Sequence, residues 1–258
     1  MNVSDDQGRE GRYVYCIIRG SEPREFSSCG IAEGGGPVYT LNSGGYGAVV
    51  SDSPVVEYWR TRRNMIVHTQ VQEEVMRECP ILPVRFDTTA PDADSVCHKL
   101  LDRRCGEFAA LFAEVEDRVE LGLKVFWNEQ TLFQEIVADN PRICQLRDSL
   151  VGVAENRSHY DRVRLGEMVA DAVKAKRQAE SEQLMDRFSP LAYKTKTNNT
   201  LGDRMVLNAA FLVDRSREED FERAVRELDS EQGSRLTLKF IGSAPPYNFV
   251  NIVVRWDE

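Results

Sequence analysis

The stretch 119-VELGLKVFW-127 decides how the chain divides. Apolar residues fall at every second position, so Val119, Leu121, Leu123, Val125 and Trp127 share one face of a strand. A strand this regular buries one face in a core of its own. The segment before it already supplies enough strands and helices to close a domain, so this strand opens a second one. The expected division is an N-terminal α+β domain at residues 1–117 and a C-terminal α+β domain at residues 118–258. A length of 258 residues accommodates two domains.

Upstream, residues 1–11 are polar and read as a flexible tail. "YVYCII" (residues 13–18) is apolar on both faces, as a central strand should be. The linker after it has room for one short helical turn around residues 26–29. "VYTL" (38–41) and "YGAVV" (46–50) are strands joined by the Asn42-Ser43-Gly44-Gly45 turn. Ser53-Pro54 reads as a helix start, running to residue 78 with Val67, Val71 and Val75 as its buried stripe. Pro83 in "ILPVRF" (81–86) argues for an edge strand or a bulge. A helix over 94–115 puts Cys97, Leu101, Cys105, Phe108, Phe112 and Val115 on one face. That order is a ferredoxin-like domain with a reduced first helix.

Downstream, a helical segment spans residues 129–190. Its third helix, 160–188, has Leu165, Met168, Val169, Ala172 and Val173 as a narrow stripe, then the nearly all-polar "KAKRQAESEQ" (174–183), then Leu184, Met185 and Phe188. Such a helix pairs with a neighbouring helix of its own chain or with a partner. "RMVLNAAFLV" (204–213), "RLTLKFI" (235–241) and "FVNIVVRW" (249–256) are strands, with a helix capped by Ser216 and Glu219 between the first two.

The net charge is −9, which repels phosphate backbones, and the only tight basic groups are "RTRRN" (60–64) and "YKTKTNN" (193–199). Nucleic acid is therefore not an expected partner. No run approaches the roughly 20 apolar residues of a membrane span, and the first residues lack the apolar core of a signal peptide. Six cysteines without a CxxC pair read as reduced thiols, mostly buried, in a cytosolic protein.

No constellation carries a reaction. The glycine runs "EGGGP" and "NSGGYG" precede strands instead of opening helices, so they are turns and not phosphate cradles. His68 and His98 lack a second histidine one turn away, so no metal or cofactor is expected. Cys79, Arg85 and Asp87 read as a salt-bridged corner. The turn in "FIGSAPPYNFVNIVV" (240–254) is stiffer than any of these, because Pro245 and Pro246 have fixed φ and no N–H. Tyr247 and Phe249 flank it, which suits either docking of an apolar partner or plain fixing of strand register.

Four blocks, "YVYCII", "GYGAVVSD", "CPILPVRFDT" and "GSAPPYNFVNI", come in an order and spacing that resemble the GvpF/GvpL family of gas vesicle proteins from residue 13 to residue 256. Three positions depart from that pattern: Asp87 stands where the family commonly has glycine, Ser243-Ala244 where it has Pro-Trp, and Cys16 where it often has glycine. The resemblance implies an accessory or minor structural protein of the gas vesicle that binds the hydrophobic shell protein, and other gas vesicle proteins, and supports assembly. It implies no enzymatic activity. The expected docking residues are Pro245, Pro246, Tyr247 and Phe249, together with Leu184, Met185 and Phe188. The competing reading is a small-molecule-binding or catalytic ferredoxin-like protein with a cleft between its domains.

Overall fold

The computed structural model describes residues 10–256. The expected tail lies outside the described residues as far as residue 9, while residues 10 and 11 already belong to the first strand. The chain forms two units, Leu121–Gly242 being one and Met1–Glu120 with Ser243–Glu258 the other. The expected division lies at 117/118; the two units change over at Glu120/Leu121, and the segment from Ser243 onward groups with the first.

The first unit starts with β1 (Glu10–Arg19), β2 (Glu25–Cys29), β3 (Pro37–Ser43) and β4 (Tyr46–Pro54). After α1 (Arg62–Glu78) come β5 (Ile81–Pro83) and the two-residue β6 (Thr89–Ala90). A π-helical stretch, Ser95–Asp102, and α2 (Cys105–Val115) follow. The sheet order is β2-β3-β4-β1-β5, with β6 also on β1. The β1–β4, β1–β5, β2–β3 and β3–β4 pairings are all antiparallel. Numbering only β1, β3, β4 and β5, the order is fourth, first, third, second, which is the ferredoxin-like arrangement. β1 is central, and Tyr13 to Ile18 are buried on both faces. Pro83 lies in β5 at the end of this order, where its missing N–H breaks no inner ladder.

Four local expectations change. Residues 26–29 are strand, not a helical turn: β2 pairs with β3, and Glu74 of α1 accepts hydrogen bonds from Ser27 N, Ser28 N and Ser27 Oγ. Ser53 does not cap a helix. It pairs with Gly11 in the sheet, is buried, and shares a hydrogen bond with Tyr58, so α1 begins later, with Thr61 Oγ1 accepting from Asn64 N. The 94–115 helix is broken, and its π-helical part moves Val96 and Leu100 into the core while Cys105 is exposed. Of the six cysteines, only Cys16 is buried.

The second unit contains most of β7 (Arg118–Trp127), then α3 (Glu129–Asp139), α4 (Pro141–Ser149) and α5 (Glu155–Phe188). β8 (Lys194–Thr197), β9 (Met205–Asp214), α6 (Glu218–Gln232) and β10 (Leu236–Ala244) complete it. Its sheet order is β10-β7-β9-β8, again fourth, first, third, second. Val119, Leu121, Leu123, Val125 and Trp127 are buried, as the alternation of β7 requires. Phe188, Phe211 and Phe221 form an aromatic cluster with centroids 4.9 to 6.1 Å apart.

The long helix α5 packs against α3, α4 and β9 of its own chain. Its polar middle is tied down by ions. Lys176 pairs with Glu135 and Asp139 of α3, and Arg235 bonds both Glu135 and Glu180. Arg177 donates to the Asp203 carbonyl at 2.7 Å. A helix face held by charges from two other elements needs no apolar stripe there.

Candidate functional site

β10 ends at Ala244, and Ser243 before it has a positive φ of 30°. Pro245 and Pro246 then turn the chain, and the turn is closed from within. Tyr247 N donates to the Pro245 carbonyl at 2.7 Å, while Phe249 N and Val250 N both donate to the Pro246 carbonyl at 3.1 and 2.8 Å. Neither proline has an N–H to offer, so the corner keeps its carbonyls for itself.

Two further anchors hold it in the first unit. Asn248 gives its backbone N–H to Glu120 Oε2 at 2.7 Å and its Nδ2 to Oε1 at 2.6 Å. Glu120 is 5 % exposed, and a buried carboxylate needs such donors. The Tyr247 hydroxyl bonds the Thr69 side chain of α1, and burial of that hydroxyl raises its pKa well above the usual phenol value. The rest of the side chain faces outward, leaving Tyr247 41 % exposed.

The expected final strand does not form. Ile252 makes one isolated parallel bridge with Val84, and Val250 and Ile252 are buried. The carbonyls of Val253 and Trp256 are taken by Arg104 and Lys99 side chains at 2.9 and 2.6 Å, so those oxygens serve cations in place of a sheet neighbour.

The seven expected docking residues therefore separate by exposure. Tyr247 is exposed, Phe249 and Met185 are half-buried, and Pro245 and Pro246 are buried. Leu184 and Phe188 are core residues of the second unit, 7 % and 0 % exposed, whereas docking needs accessible side chains. Apolar residues return after the polar stretch of α5 because Phe188 must fill the cluster with Phe211 and Phe221. Glu120, Thr69 and Asn248 were missed. The signal for Glu120 was an acid inside "VELGL", a charged residue in a strand that is otherwise core.

A buried polar network lies under the block "CPILPVRFDT". Asp87 N donates to the Tyr13 hydroxyl at 3.0 Å, and that hydroxyl meets His68 Nδ1 at 3.0 Å. His68 also bonds the Val84 carbonyl, and Gln72 Nε2 donates to the Tyr15 carbonyl. The other ring nitrogen, Nε2, lies 3.0 Å from Gln72 Nε2. Burial drives the His68 pKa down to about 4, only partly offset by the Val84 bond, so the ring is neutral. At 3 % exposure it touches no solvent-borne substrate and serves to pin β1, α1 and the strand after α1 together. Asp87 has a φ of 68°, a backbone region that favours glycine, and its carboxylate accepts from Tyr58 N at 2.7 Å. The bond to Tyr58 N offsets the backbone strain that a glycine here would avoid.

The corner thus offers an aromatic face on a fixed turn, with its donors and acceptors already used. It holds no nucleophile and no acid–base pair. Among the described residues, no group of three or more His, Cys, Asp or Glu is placed to hold a metal ion. No helix among them is long and apolar enough to cross a membrane. The second unit has a groove of about 690 Å³ lined by Leu132, Phe133, Val169, Val173 and Arg177, apolar in its floor.

Residues 11–251 match the family model described as gas vesicle synthesis protein GvpL/GvpF. Gas vesicle protein F of Streptomyces sp. (strain CB03234) is 30% identical over 239 residues, covering 92% of this chain and 98% of that protein. Gas vesicle protein F of Microcystis aeruginosa (strain PCC 7806) is 26% identical over 245 residues, covering 94% and 99%. The crystal structure of GvpF from Anabaena sp. PCC7120 superposes with a TM-score of 0.81 at 24% identity, covering 95% of this chain and 100% of that one.

Proposed function

The chain belongs to the GvpL/GvpF family of gas vesicle synthesis proteins, and on that premise we propose that it binds the hydrophobic shell protein and supports assembly of the vesicle in the cytoplasm. Tyr247 carries the docking part of this reading. An aromatic side chain is held half in water on a turn that is already fully ordered, so little entropy is lost when a partner covers it. An aromatic anchor in a desolvated contact is typically worth about 2 kcal/mol or more, roughly thirtyfold in affinity.

The test is co-purification with the shell protein, measured beside thermal stability. Tyr247→Ala should weaken binding roughly thirtyfold while leaving the thermal midpoint within a few degrees. Unchanged binding, or a loss of binding that only tracks unfolding, would overturn the docking role of the corner.

A further inference from the structure

Residues 55–66 combine features that the corner at Tyr247 does not explain. Trp59 is 76 % exposed, and Val56, Met65 and Ile66 are exposed with it. Covering a tryptophan removes a large apolar area from water, and exposed apolar residues grouped within a polar rim mark a contact surface. Arg60, Arg62 and Arg63 are exposed beside it, and none joins an ion pair among the described residues. Glu57 is the single acid between residues 53 and 72, so three arginines stand against one carboxylate in a chain of net charge −9.

The surface is also preorganised. The Trp59 carbonyl accepts from Thr61 N at 2.7 Å and Asn64 Nδ2 at 2.9 Å. On its other side, Tyr58 N is held by Asp87 Oδ1 at 2.7 Å and the Tyr58 hydroxyl by Ser53 Oγ at 2.8 Å. The buried stripe of α1 is His68, Val71, Gln72 and Val75, which at 100° per residue turns Arg62, Arg63 and Ile66 away from the core. Aromatic, Met and Arg side chains are the types enriched in protein interfaces.

We propose that Trp59, Ile66 and Met65, ringed by Arg60, Arg62 and Arg63, form a docking surface for an acidic protein segment that presents carboxylates around an apolar stripe. Charge selects this occupant. The local excess of cations calls for carboxylates, whereas the overall charge of −9 repels an extended polyanion such as nucleic acid or an anionic membrane. The proposal does not rest on the shell-binding reading.

The test uses a labelled helical peptide of about 20 residues with a leucine stripe edged by glutamates, and the same peptide edged by lysines, followed by anisotropy with the whole protein. The glutamate peptide should bind at least tenfold tighter than the lysine peptide, weaken with salt, and shift the Trp59 emission to the blue. Trp59→Ala should weaken it about tenfold or more. The Arg62→Glu/Arg63→Glu pair should reverse the preference between the two peptides, and it keeps the fold because acids suit the first turn of a helix. No saturable binding up to about 1 mM, equal affinity for both peptides, or tighter binding to single-stranded DNA or phosphatidylserine vesicles would overturn the proposal.

Discussion

Asn248 places two donors on the two oxygens of Glu120, although 128 positions separate them in sequence. The carboxylate lies early in β7 and is shut from solvent, so the far end of the chain completes what the start of that strand requires. A turn that reads as punctuation is thereby a structural clasp.

Asn248→Ala removes the Nδ2 donor to Glu120 Oε1, which should cost about 1–3 kcal/mol. Asn248→Asp should cost more, since it faces one carboxylate with another. Urea unfolding checks both, and a loss under ~0.5 kcal/mol for the alanine variant would show that the clasp is not a stabilising contact.

Phe211→Ala should cost about 3–5 kcal/mol, because Phe211 is fully buried between Phe188 and Phe221. Phe188→Ala should fall in the same range, as expected of a core residue and not of a surface anchor. A midpoint shift in denaturant at constant slope is the measurement.

His68 sets a pH dependence. Its folded pKa of about 4 lies below the ordinary 6.5, so below pH 6.5 the unfolded chain takes up a proton that the fold refuses. Stability should be flat in this respect above about pH 7 and fall by up to about 3 kcal/mol as the pH drops to 4. His68→Gln should be less stable at neutral pH but lose that slope between pH 6.5 and 4.

Asp87 combines a left-handed backbone with a useful carboxylate. Asp87→Gly trades the bond to Tyr58 N for an unstrained φ and should change stability by less than about 1 kcal/mol. Asp87→Ala loses the bond and keeps the strain, so it should be the worse of the two by about 1 kcal/mol. Thermal melts of the pair decide the order.

What was legible in the sequence follows local pattern. β1 and β7 stand out because burial on two faces or one leaves a direct trace in residue type. β2 left none: "EFSSC" is polar, and its strand conformation comes from pairing with β3 and from Glu74, which is distant in sequence. The Ser53-Pro54 cap signal lost to sheet pairing with Gly11. The strand order common to both units was hidden because β2 stands where one unit would have its first helix and α3, α4 and α5 stand there in the other. At the corner, Tyr247 was readable as an aromatic on a stiff turn, but its anchors Glu120 and Thr69 lie far off in the chain.

The nesting of one unit within the other orders the events of synthesis. Every residue of Leu121–Gly242 is joined before Ser243 is added, so the inner unit's sequence is complete while the outer one still lacks its clasp. Until then Glu120 has no Asn248 and Val84 no Ile252. The Tyr247 corner is therefore the last part of the first unit to be joined, and a chain that stops before Ser243 lacks it.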